Sequence, residues 1–333
     1  MSNLDAAQLL DYYVAGQTDF SQANLAGIQL AGVDLIGVDL SESNLCGANL
    51  SFALLGRANF RRANLAGADL RGANLTQADL TESLLQEANL HGASLEKAIL
   101  VGADITLADL TDCNLIEADL RQANLSSTRF VGACFRGANL RKDNYQERTV
   151  LRGTDLEKAD FQSANLAEAD LARVNLTGAN LKEANLRGAD LMGANLERAY
   201  CQMTRLTDTN LKKAGLAWAN LREARFDRAQ LQEADFFQAD CYQANFSHAH
   251  LDQIIGEKAN FTQAIFTKAD LRRANLRGST LKEARLIEAY LARTDLTGAD
   301  LTGANLIRAE ISSTLLLDAN LTDVTMPDGS TYQ

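Results

Sequence analysis

The sequence is poor in the residues that punctuate a chain or carry out chemistry. In 333 residues there are one proline, one tryptophan and three histidines. No run of about 18 apolar residues occurs, so no membrane-crossing helix is expected. No basic, apolar, cleavable leader opens the chain. No Pro/Ser-rich stretch separates one half from the other, which argues against a linker. Aromatic residues make up only 6%, so any core must rest on aliphatic side chains. Charge of a single sign is also missing: the net of -11 comes from acids and bases mixed along the whole length. The five cysteines are odd in number and irregularly spaced, which fits a reducing compartment better than a disulfide framework. A soluble, cytoplasmic protein is the expectation.

Helical and strand periods are missing too. In LREARFDRAQLQEADFFQADCYQANF, residues 221–246, Leu221, Phe226, Leu231, Phe236, Cys241 and Phe246 keep a beat of five. Neither 3.6 nor 2.0 accounts for it. With the central large residue called i, the beat runs from Phe20 to Tyr145 in 26 pentads and from Leu151 to Met326 in 36 more. Of these 62 central residues 45 are leucine and 10 are phenylalanine, so i is the core position. Position i-2 is small, as at Ala63, Ala68 and Ala73, and i-1 is mostly Asp or Asn. Seventeen of the 22 glycines sit at i+2. Glycine is still absent from most pentads, so the corner is not expected to require a positive φ.

One large and one small apolar residue in five can share an interior while the other three face water. Four pentads can close a circuit of about 20 residues. Stacked circuits would pair backbone groups about 4.8 Å apart, as in a parallel sheet. Asp and Asn at i-1 can hydrogen-bond backbone near each corner.

ANLAGADLRGANLTQADL, residues 63–80, resembles the pentapeptide-repeat proteins, whose pattern is A(D/N)LXX. The resemblance covers about residues 18–326 and implies an all-β fold, a right-handed quadrilateral parallel β-helix. The chain's ends resemble cyanobacterial members of that family, including those of the HetL type linked to cell differentiation.

A solenoid needs caps at its two open ends. NLDAAQLLDYYVAG, residues 3–16, reads as a short amphipathic helix with Asn3 as N-cap. Leu9, Leu10 and Tyr13 would cover the first coil, and Gly16 would end the helix. The expected organisation is a capping helix over 1–17, one continuous β-helix over 18–326 and a tail over 327–333, where Pro327, Asp328 and Gly329 form a turn. Leu151 follows Tyr145 by six residues instead of five, which predicts a one-residue register break within 146–150. Gly256 stands at i and predicts a void, filled by Ile254, Ile255 or a neighbouring phenylalanine.

Catalytic chemistry finds no foothold. His248 and His250 lie near Cys241, but zinc needs three or four converging ligands. Cys201 and Cys241 fall two coils apart, roughly 9.6 Å, too far for a disulfide. Cys46 and Cys134 point outward with no histidine in register. Glycines follow the repeat and form no phosphate loop. No enzyme, cofactor or metal is expected. The remaining reading is a non-catalytic interaction scaffold, a rod ~75 Å long whose faces bind a protein partner. It is expected to be a monomer or weak dimer that binds neither membrane nor nucleic acid. The alternative, implied by the resemblance, is a DNA mimic acting on a type II topoisomerase. A rod of that length would need some 44 charges, at one per about 1.7 Å of duplex. The net of -11 and basic pairs such as Arg61/Arg62 and Arg272/Arg273 weigh against it.

The candidate partner site is aromatic. Ten of the twelve phenylalanines fill i. Phe237 does not, and a 20-residue coil sets it beside Trp218, roughly 6 Å away. Ile255 lies one coil further on the same side, and Tyr200 and Tyr242 lie on the next. Trp and Tyr dominate binding hot spots. The structural alternative is that Trp218 and Phe237 fold down over the defect at Gly256.

Overall fold

The backbone of a pentad can be accounted for donor by donor in the computed structural model, which describes residues 4–142 and 149–332. Around Leu65 all five N–H groups are used. Ala63 N–H closes a turn onto Phe60 O at 3.0 Å, and Asn64 N–H reaches Ser43 O in the preceding coil at 2.9 Å. Leu65 and Gly67 N–H donate to Leu84 O and Gln86 O of the following coil at 2.7 and 2.8 Å. The fifth donor, Ala66 N–H, goes to Asn64 Oδ1 at 3.1 Å. This last bond is why Asp and Asn hold i-1. A carboxylate or amide oxygen there takes the one donor that neither turn nor neighbouring coil can satisfy. Asn64 pairs in parallel with Asn44 and Leu84, each 20 residues away. One coil of this β-helix solenoid therefore takes four pentads.

The chain divides into two units, Met1–Asp170 and Leu171–Gln333, and each carries the same coil. In both, Leu or Phe at i and Ala at i-2 are buried almost completely, except in the last coil, where Leu316, Ala319 and Leu321 are half-buried. Where Thr or Cys replaces alanine at i-2, its side chain donates to the carbonyl of a leucine or isoleucine one coil back. Thr204 Oγ1 reaches Leu181 O and Thr128 Oγ1 reaches Ile105 O, both at 2.8 Å. A buried hydroxyl is tolerated because it is satisfied. Phenylalanines add stacking: Phe226, Phe246 and Phe266 lie face to face along unit 2 at centroid distances of 4.7 and 5.0 Å.

The corners overturn one expectation. At i+2 nearly all the described residues adopt positive φ whether or not they are glycine, Lys142 and Asp328 being the exceptions; Arg62 sits at 55° and Glu82 at 56°. Positive φ at the second central residue of a turn, with the first unaffected, is the type II pattern. The corner does require the left-handed conformation, and glycine only lowers its cost.

A second correction concerns the break in the beat. In unit 1 the pairing partner steps from 20 residues away to 26: Asn124 pairs with Val150 and Arg129 with Asp155. Phe135 stacks on Phe161 at 4.5 Å in the same shifted register. The insertion is thus 26 minus 20, or six residues, instead of the one expected. The expected break at 146–150 lies partly outside the described residues, as do Tyr145 and Asn3.

Helix α1 spans Ala6–Val14. Its N-cap is Asp5, whose carboxylate accepts Gln8 N–H at 2.9 Å while Gln8 Oε1 accepts Asp5 N–H, a capping box. Leu9 is fully buried, and Tyr13 donates its hydroxyl to Ile36 O at 2.9 Å. Gly16 follows at φ 96°. At the other end β1 (Val324–Thr325) pairs antiparallel with β2 (Thr331–Tyr332). The Pro327–Gly329 turn therefore reverses the chain into a hairpin that lays Tyr332 O on Asp323 N–H at 3.1 Å.

Candidate functional site

Position i+2 is a corner, and corner residues one coil apart stack in ladders. On one ladder of unit 2 the 20-residue step brings together Arg198, Trp218, Gln238 and Lys258. Trp218 is 43% exposed. Its indole Nε1 donates to Gln238 Oε1 at 2.6 Å, and the Arg198 guanidinium lies 5.3 Å from the ring centroid. Phe237, at i+1 of the next coil, packs edge-on against Trp218 at 5.3 Å and 86°. The Lys258 ammonium lies 5.9 Å from the Phe237 ring. Two half-exposed rings are thus held at right angles between two cations. An edge-to-face pair, a charge-to-ring contact and an indole hydrogen bond all restrict the rotamers of Trp218.

The other three candidates do not join this cluster. Tyr242 is half-buried under the Arg222 guanidinium, 4.3 Å from its ring. Tyr200 is 54% exposed at i-1, paired through its backbone with Asn180 and Asn220. Among the described residues no ring contact links either tyrosine to Trp218 or Phe237. Ile255 is 43% exposed, also at i-1. Gln238, Arg198 and Lys258 escaped the sequence reading, although the same 20-residue step that found Phe237 would have found them.

Gly256 needs no cover from outside. A Cβ placed on it would lie 2.6 Å from Leu276 Cδ2 and 3.2 Å from Phe261 Cε2. The space that a leucine would occupy is already filled from within the core by a leucine and a phenylalanine. Of the expected fillers, the neighbouring phenylalanine serves. Ile254 is buried at its own i-2 position and Ile255 faces solvent.

Among the described residues no group of three or more His, Cys, Asp or Glu is placed to hold a metal ion. Burial pushes the thiols of Cys113 and Cys201 up to about 12, and that of Cys241 well above the ordinary range. Cys201 and Cys241 are core side chains, both wholly buried, and Cys46 is exposed. No helix among the described residues is long and apolar enough to cross a membrane.

Coils of four pentads, with a leucine core, small residues beside it and Asx residues at each turn, define a repeat protein of the solenoid class. The sequence profile for pentapeptide repeats matches segments from 17–51 to 284–323 along the chain, and the chain belongs to the pentapeptide-repeat family. It is similar to HetL, a pentapeptide repeat protein involved in heterocyst differentiation regulation in the cyanobacterium Nostoc sp. strain PCC 7120. Identity is 29% over 99% of this chain and 100% of that one, with a TM-score of 0.29. A pentapeptide repeat protein from the Arabidopsis thaliana thylakoid lumen is 34% identical over 36% of this chain and 71% of that one, at a TM-score of 0.16. QnrB1, a plasmid-mediated fluoroquinolone resistance protein, is 18% identical over 65% of this chain and 87% of that one, at 0.27. No curated protein sequence matches.

Proposed function

We propose that this chain is a non-catalytic scaffold, a right-handed coil of four sides, that captures a protein partner at the Trp218–Phe237 corner. The observation carrying this reading is the geometry of that pair. Trp218 is almost half exposed, yet its ring is fixed by Phe237, Gln238 and Arg198. A large ring that is already ordered loses little freedom on binding, which is how preorganised anchors gain affinity. The structural alternative loses its basis, because Leu276 and Phe261 fill the space at Gly256. Ile255, Tyr200 and Tyr242 extend the proposed surface beyond the anchor.

The test is a double variant, Trp218→Ala with Phe237→Ala, used as bait in the native cell's extract beside the wild type. Specific partners captured by the wild type are expected to be lost, with the melting temperature changed by less than about 3 °C. Unchanged capture with a much lower melting temperature would make the pair structural and move the binding face elsewhere.

A further inference from the structure

Arg273 and Arg293 occupy one corner ladder of unit 2, at i+2 of successive coils. Cations at this position commonly face an acid one coil away. Arg62 bonds Glu82 and Arg228 bonds Asp208, both at 2.7 Å, and Lys213–Glu233 and Lys268–Glu288 are 3.5 Å apart. The ladder of Arg273 and Arg293 breaks that habit. Its next members are Gln253 and Ser313, both neutral. Neither guanidinium makes a hydrogen bond or ion pair with the described residues, and both side chains are exposed. Two arginines of like charge therefore stand on successive layers, whose backbones are roughly 4.8 Å apart.

Beside them the surface is hollow. A notch of about 480 Å³ is lined by Asp252, Gln253, Arg272, Arg273, Arg293 and Ser312, among others. Its depth follows from the i+1 ladder, where Arg272 is succeeded by Ala292 and then Ser312. Two small residues after a long one leave open the space beside the arginines. Arg272 is held in place by Asp270, with Nε donating to Oδ1 at 2.8 Å and Nη2 donating to Oδ2. Its Nη1 makes no hydrogen bond with the described residues. Three carboxylates act on Arg272: Asp270 first, then Asp252, which lines the notch, and Glu310. Arg273 and Arg293 carry the guanidinium groups of the notch that no carboxylate among the described residues bonds.

We propose that this notch binds a phosphate group, with Arg273 and Arg293 as its principal ligands and Arg272 at its edge. A carboxylate brings a single negative charge on two oxygens. A tetrahedral dianion has acceptors for several, and its charge answers two arginines at once. The site is separate from the Trp218 corner and does not rest on the scaffold reading. The phosphate could be a free ion or a phosphorylated side chain.

The test follows arginine Nε–H signals by NMR while inorganic phosphate is titrated into the full chain at constant ionic strength. Constant ionic strength removes general screening of exposed charge. Saturable shifts are expected at Arg273 and Arg293. In Arg273→Gln with Arg293→Gln they are expected to weaken by about tenfold or more, while Arg62→Gln titrates as wild type. Shifts that rise without saturating, or that are unchanged in the double variant, would overturn the site. The single variant Arg293→Gln repeats the test should the double variant melt early. A second arm compares a phosphoserine peptide with inorganic phosphate. Tighter binding of the peptide assigns the phosphate to a protein side chain, and equal binding assigns it to the free ion. Both outcomes presuppose the saturable site.

Discussion

At the corner residue the repeat accepts a cost. Arg, Lys, Glu and Gln side chains hold φ between 53° and 64°, a region where a Cβ is disfavoured by roughly 1–2 kcal/mol. The return is that the same residue's N–H is aimed at the next coil, as Arg62 N–H is at Thr81 O, 2.9 Å away. Gly27→Ala meets no atom within 4 Å, so its cost is backbone strain alone, about 1 kcal/mol. Gly56 stands at i+1 without a positive φ, and Gly56→Ala is expected to be neutral or stabilising by up to about 1 kcal/mol. Denaturant melts of the two variants check the contrast; equal destabilisation would refute the turn assignment. Gly256→Ala separates a void from a filled core. A void would gain from the extra methyl, whereas contacts with Leu276 and Phe261 predict a loss of ~2 kcal/mol through overpacking.

At the scale of the coil, one strip of leucines carries each side, and all but those of the last coil, Leu316 and Leu321, are sealed by their neighbours. Leu181 is 1% exposed and Lys182, its neighbour, is half-exposed beside Glu183. Leu181→Asp buries an unpaired carboxylate and is expected to cost ~4 kcal/mol. Lys182→Asp should stay within about 0.5 kcal/mol. Thermal melting that does not separate the two would sink the assignment of i to the core. The helix α1 and the β1–β2 hairpin act at the same scale. Asp5 and Gln8 satisfy each other's backbone at one end, and the hairpin supplies an acceptor for Asp323 N–H at the other.

At the scale of the whole molecule many of the described acids are paired with a base. Asp79 meets Arg61, Glu82 meets Arg62 and Asp300 meets Lys282 at 3.1, 2.7 and 3.1 Å. Acids paired in this way add nothing to a bare anionic stripe. These pairs predict the response to acid. Hydrogen bonds from Arg71 hold Asp69 below the usual carboxylate range, and Arg228 does the same for Asp208; burial opposes both. A folded pKa below the unfolded one gives stability that is complete above the unfolded value and lost as pH falls through the folded one. The melting temperature is therefore expected to be level from pH 7 to about 5 and to fall below about 4. A fall that begins near neutrality would contradict it. The single continuous solenoid expected from the sequence remains a proposal. Small-angle scattering of the full chain is expected to fit one rod, and two particles at variable separation would exclude it.

The beat of five by itself determined the burial pattern, because a residue that recurs at every side of a coil must face the same interior. The 20-residue step also set Phe237 against Trp218, since a constant coil length turns sequence distance into contact. Both were legible because they depend on period alone. The left-handed corners were not, because arginine or glutamate at i+2 carries no local sign of the conformation that hydrogen bonds to the next coil impose. The six-residue insertion was hidden as well. Tyr145 keeps the beat after Leu140, and only the pairing of Asn124 with Val150 shows that the coil resumes later. The filling of Gly256 and the isolation of Arg273 and Arg293 were likewise decided in three dimensions. Each depends on which side chain one coil away has the length and charge to reach, and a repeat that leaves those positions free to vary cannot specify it.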